Sequence, residues 1–219
     1  MSSTPIAGPG MAPPAATRGT ASVSAALTSA LVAALVALMC PPAPVAQERV
    51  ELPHVREMGA ALAQFDDGLV HAVAAYYHSQ RHHDTPWLLV ELGINSQKTV
   101  RLHRDNIELV TPAGITIGLA SYRRWSQDVS RAARLMQAAV PTRHQVRTYF
   151  REYATVTPLQ FFQAPHAGGT IRDIADLTLD QVFVGDLLFE SPTGAFERGR
   201  HVLTIHNAVS TVRLPIDLR

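Results

Sequence analysis

Residues 87–119 read WLLVELGINSQKTVRLHRDNIELVTPAGITIGL, and this stretch decides the fold. Side chains alternate across a strand. In residues 87–95, Leu88, Val90, Leu92 and Ile94 therefore share one face, and Trp87, Leu89, Glu91 and Gly93 the other. The first set is the expected core face. Residues 98–104 alternate again, Val100 and Leu102 against Arg101 and His103. Residues 107–110 and 115–119 flank Thr111-Pro112-Ala113-Gly114, where Pro and Gly suit a turn. Strand follows strand with no βαβ alternation, which argues against a doubly wound sheet.

Working outward, residues 69–78 form another strand, joined to 87–95 by the polar connection SQRHHDTP, with Pro86 kept out of the ladder interior. Residues 48–66 read two ways. Val55, Met58, Leu62 and Phe65 share a helical face, yet Asp66-Asp67-Gly68 is a hairpin turn, so the segment is a short helix or an irregular edge strand. Downstream the period changes. Tyr122, Trp125, Val129, Ala132, Met136 and Ala139 recur every three or four residues, which predicts one amphipathic helix over 121–139. Pro141 stops it, and Thr142 to Gln145 form a capping-box pattern that opens a second helix to about Phe150. Strands return at 159–162, 177–184 and 187–189, with Gly185-Asp186 as a turn, and the segments 201–206 and 211–218 pair as a hairpin. Seven to nine strands broken by one helical stretch predict a mainly β fold: an antiparallel β-sandwich with a helical insertion at 121–150.

The chain has 219 residues, of which only 17% are charged, against about 25% in an average soluble protein. Part of the shortfall lies in residues 1–46, whose one ionisable side chain is Arg18. Residues 23–39, VSAALTSALVAALVALM, carry no charge and end at Pro41, Pro42 and Pro44. As a helix they span about 25 Å, short of a ~30 Å hydrocarbon core. A basic residue, a short apolar run and a small-residue exit near Ala46 read as a secretory signal, starting at Met1 or Met11. An uncleaved N-terminal anchor helix and lipidation at Cys40 are the alternatives. All three make the protein exported, periplasmic or secreted, with a folded domain at 47–219 that touches membrane only through its N-terminal segment. In that domain the other 18 Lys and Arg face 18 Asp and Glu, so no field concentrates nucleic acid. Cys40 is the single cysteine, which leaves the domain no disulfide and no thiol chemistry.

The stretch WLLVELGINSQKTVRLHRDNIELVTPAGITI resembles the central hairpin region of small exported immunoglobulin-like sandwich modules of bacteria. GDLLFESPTG and GRHVLTIHNAVSTVRLPIDL are similar to their final strands. The resemblance covers about half of residues 69–218. It implies an immunoglobulin-like β-sandwich and an export route, and it carries over no catalytic residue. The helical segment departs from a minimal sandwich, and the Cys…Trp…Cys hallmark of antibody domains is absent.

Candidate chemistry falls in three places. His78, His82 and His83 precede Asp84 on a loop, and imidazoles with a carboxylate suit zinc or copper, with His103 as a further ligand. Against that, adjacent His82 and His83 point apart on an extended chain. Asp173, Asp176 and Asp180 are near in sequence but lack calcium-loop spacing. Arg123, Arg124, Arg131 and Arg134, followed by Arg143, Arg147 and Arg151, offer guanidiniums to an envelope protein, a glycan or an acidic surface. The zinc-protease helix, nucleophile-elbow and phosphate-loop signatures are missing. The sequence therefore predicts a non-enzymatic binding module of the envelope, with no cofactor. A histidine-based metal-binding protein is the alternative, and a hydrolase with a loop-borne site the second alternative.

Overall fold

A computed structural model describes residues 52–83, 85–142, 144, 146–150, 152, 155–162 and 170–219. The expected signal or anchor segment and Cys40 lie outside the described residues. Among those described, no helix is long and apolar enough to cross a membrane.

The fold is mainly β. Its longest strands are β4 (Trp87–Ser96) and β10 (Gln181–Glu190), which pair antiparallel from Phe183 opposite Ile94 to Glu190 opposite Trp87. Around them a six-stranded sheet runs in the order β1-β2-β3-β4-β10-β8, with β1 (Val55–Glu57), β2 (Leu62–Asp66), β3 (Val70–Ala75) and β8 (Thr155–Pro158). A four-stranded sheet has the order β12-β11-β6-β7, from β12 (Thr211–Leu218), β11 (Gly199–His206), β6 (Ile107–Val110) and β7 (Thr116–Gly118). A third sheet pairs β5 (Val100–His103) with β9 (Ile174–Leu177). Every pair is antiparallel except β8 with β10.

One face of the large sheet carries Ala72, Ala74, Leu88, Val90, Leu92, Ile94, Leu187 and Phe189, all fully buried. They share a single apolar cluster with Leu203, Ile205, Val212, Leu214 and Ile216 of the four-stranded sheet. Each of the Val, Leu, Ile and Phe side chains among them contributes about 1.5–3 kcal/mol by leaving water. Arg200 ties the edges together. Its guanidinium grips Asp217 through two hydrogen bonds of 2.9 Å and reaches Glu57 of β1 at 2.7 Å, which raises its pKa.

The other face of the large sheet lies under the helical insertion. Ser121 caps the first helix by accepting the Arg124 N–H at 3.2 Å. That helix, α1 (Tyr122–Gln127), ends at Asp128, and α2 (Val129–Ala139) follows. The expected single helix is thus broken at Asp128, where φ is −120° and ψ 26°. The Asp128 carboxylate accepts the Trp87 indole N–H at 2.8 Å, which fastens the break to the start of β4. The expected second α-helix is instead two 3-10 turns, Val140–Thr142 and Val146–Phe150. Thr142 does not cap forward, because its hydroxyl donates back to the Ala139 carbonyl at 3.1 Å. Val146 and Phe150 occupy the space over Gly93; a Cβ there would stand 2.7 Å from the Phe150 ring and collide with Val146.

Of the two readings of 48–66, the described residues take the strand one, with β1 at the edge of the large sheet and β2 beside it. Two further expectations change. The strand expected at 159–162 sits earlier as β8, while Leu159, Phe161 and Phe162 are buried core. Gly185-Asp186 is no turn, because β10 runs straight through it. Gly185 is small because Leu159 crosses against it; a Cβ would stand 2.7 Å from that of Leu159.

Candidate functional site

The three expected metal ligands separate. His78 and His82 lie one turn apart, their rings 4.6 Å between centroids. His83 turns away to bond main-chain oxygens: Nδ1 meets the Phe196 carbonyl at 3.1 Å and Nε2 the Arg219 oxygen at 2.8 Å. His103 lies on β5, opposite Ile174, in the two-stranded sheet. Among the described residues no three His, Cys, Asp or Glu side chains converge on a metal-sized site.

The arginines divide. Arg124 donates to Glu190 at 2.6 Å and lies over the Trp87 ring at 5.9 Å. Arg131 pairs with Asp128 at 3.5 Å. Arg123 and Arg134 are exposed and have no ionic partner among the described residues. The expected carboxylate group also disperses. Asp176 pairs with Arg101 at 3.2 Å in solvent. Asp173 pairs at 3.3 Å with Arg104, which is buried over Phe162 and donates to the Ala120 carbonyl.

A different place gathers polar groups against apolar walls. The loop after β10 and the turn between β6 and β7 enclose a cleft of about 330 Å³. Its walls include Ile115, Ile117, Pro192 and Phe196. The loop is built from its own hydrogen bonds. Ser191 takes its N–H to the Pro86 carbonyl at 2.8 Å, donates its hydroxyl to the Ala195 carbonyl at 2.5 Å and accepts the Thr193 N–H at 3.2 Å. Gly194 turns the chain at φ 90°. Phe196 N–H bonds the His83 carbonyl at 2.9 Å, and Glu197 accepts the Ala113 N–H at 3.1 Å, which joins the loop to the facing turn. Gly199, at φ 127°, packs on Pro112 of that turn.

His201 lines the cleft as well. It occupies an inward position of β11, opposite Ile216 and in line with Leu203 and Ile205, and it is 0% exposed. Neither ring nitrogen completes a hydrogen bond with the described residues. Burial lowers its pKa; the Gly199 backbone opposes the fall, as Glu197 does more weakly. The ring therefore favours its neutral form, with one donor and one acceptor. The Phe196 ring lies 6.0 Å away at 58°.

A second cavity, of about 10 Å³, lies where the insertion meets the sheet, lined by Tyr77, His78, Glu91 and His144 among others. It has room for about one water. Tyr77 stacks on His144 at 5.4 Å, and the Tyr149 hydroxyl stands 3.4 Å from His144 Nε2. Burial lowers the pKa of His144 and raises that of Tyr77. These rings form a joint between two layers, too tight for a solute.

Ser191, His201 and Glu197 share the cleft, which invites a hydrolase reading. Nucleophilic catalysis needs the hydroxyl bonded to its base. Here the Ser191 proton goes to the Ala195 carbonyl, and His201 bonds to no hydroxyl. Sequence reasoning missed the cleft because both flanking segments, 111–114 and 191–194, read only as turns. The one available signal was His201 at the core parity of the strand HVLTIH. No family model, curated protein or solved structure matched the chain.

Proposed function

We propose that this protein is an exported, non-enzymatic binding module of the cell envelope, and that its ligand enters the cleft between β7 and the loop 191–198. One observation carries the reading: a fully buried imidazole, with neither nitrogen in a completed hydrogen bond among the described residues, in the wall of a ligand-sized cleft. The arginines expected to form the contact surface support it less, since Arg124 and Arg131 are engaged within the insertion. Export rests on the uncharged run 23–39 and its proline exit.

The proposed architecture is a two-layer β-sandwich with the insertion laid over its outer face. The apolar cluster common to both sheets supports it, as do the contacts of β12 with β2 and β3. The reading keeps immunoglobulin-like layering and drops immunoglobulin wiring. The order β1-β2-β3-β4 is a meander, where that wiring uses Greek-key connections.

The test is a fragment screen on the purified chain, followed by backbone amide NMR. Hits should perturb amides in 111–118 and 191–201 together. Hits confined to α1 and α2 would move the binding site to the arginines and overturn the cleft reading.

A further inference from the structure

The cleft also restricts what it can hold. Resting on the binding reading above, we infer that it selects an uncharged, largely apolar group that ends in a hydroxyl or an amide, with the polar end against His201.

The walls set the body of the ligand. Ile115, Ile117, Pro192 and Phe196 present hydrocarbon, and a volume of about 330 Å³ stands at the small end of ligand sites. The hydroxyls around them are engaged in the loops themselves. Ser191 and Thr193 bond the Ala195 carbonyl, and Thr111 accepts the Ile115 N–H at 3.1 Å. They have less to offer a newcomer than His201, whose two nitrogens complete no hydrogen bond among the described residues.

Charge narrows the class. None of the residues lining the cleft is Lys or Arg, so an anion would enter without a counter-charge. The single carboxylate, Glu197, is exposed and held at the rim by the Ala113 N–H. A cation would find its one counter-charge in Glu197, which the Ala113 N–H already engages, and none in the imidazole itself. A neutral hydroxyl or amide both donates and accepts, and so matches either tautomer of a neutral ring.

A pure hydrocarbon would fill the walls and leave the imidazole unpaired. Sites that hydrogen-bond a ligand hydroxyl or N–H discriminate strongly against the analogue that lacks it. His201 and the neighbouring Phe196 ring are both covered, 0% and 4% exposed, so a ligand must displace side chains to reach the imidazole.

The test uses five probes of nearly one shape: benzyl alcohol, benzamide, toluene, benzoate and benzylamine. Each is titrated into the purified chain and followed by the His201 ring resonance and the amides of 191–201. Benzyl alcohol and benzamide should bind about tenfold or more tighter than toluene, and benzoate and benzylamine should be weakest. In His201→Phe the alcohol should lose its advantage over toluene. His201→Gln, which keeps a donor and an acceptor, should retain part of it and serves if the phenylalanine variant fails to fold. Toluene, benzoate or benzylamine binding in the cleft as tightly as the alcohol overturns the ligand class and leaves the binding reading standing. No probe perturbing any cleft residue overturns both.

Discussion

Two histidines, His71 half-buried and His201 fully buried, sit in opposite regions of the molecule, and they differ in their partners. His71 lies on the outer face of β3, under the insertion. Its Nε2 meets the Gln64 amide at 3.0 Å, and its ring packs on Phe150 at 4.4 Å. His201 lies on the inner face of β11 beside the cleft, with neither nitrogen in a completed hydrogen bond among the described residues. Burial lowers the pKa of each. A lowered pKa therefore does not by itself separate the two; their hydrogen-bond partners do. His71 is part of the joint that fastens the insertion to the sheet. His201 packs beside Phe196, and its nitrogens complete no hydrogen bond among the described residues.

The largest effect should come from the His71 side. Phe150→Ala removes the ring that covers His71 and Gly93, and urea unfolding should show a loss of about 3–5 kcal/mol. No comparable loss should follow from changes around His201. If Phe150→Ala is nearly neutral, the insertion is not fastened there and the contrast fails.

His71→Leu leaves the Gln64 amide without its partner. A loss of about 1–3 kcal/mol by the same measurement is expected.

The third effect is a pH dependence with a fixed sign. Both rings have folded pKa values below the ordinary 6.5. As pH falls through about 6.5, the unfolded chain takes up protons that the folded chain refuses, so stability falls. It levels off once the buried rings also protonate. Stability that rises as pH drops from 7 to 5 would contradict the burial of both rings. His71→Leu and His201→Phe should each flatten the slope.

The smallest effect separates the two histidines most cleanly. His201→Phe exchanges an unpaired imidazole for an apolar ring in an apolar row, and stability should stay within about 1 kcal/mol of the parent or rise. A large loss that repacking does not explain would mean that His201 has a structural partner after all.

How much of this was legible in the sequence depends on the signal each residue leaves. Alternation in residues 87–95 and 201–218 gave the strands, because one face of each is apolar and the pattern has period two. It could not show that the second face of β4 is covered as well. Trp87, Leu89 and Gly93 on that face meet Asp128, the helices and Phe150, contacts that join residues far apart in sequence. Glycine was misread for the same reason. Gly185 looks like a turn in isolation, and only the crossing of Leu159 explains it. Asp128 broke the expected helix because its carboxylate is drawn to Trp87, a residue 41 positions earlier. Candidate ligands were sought where polar residues cluster in sequence, at His78, His82 and His83 and along the arginines. The cleft is made by one histidine and two turns from three separate segments, and a local pattern cannot reveal such an assembly.

The central claim is that His201 is unpaired because a ligand completes it. The most direct measurement follows the ring resonances of His201 and His71 in one sample while benzyl alcohol is added. The His201 signal should move and saturate while the His71 signal stays fixed. If both move in proportion, or His201 stays fixed while other cleft residues respond, then the imidazole is not the group that meets the ligand, and the account is wrong.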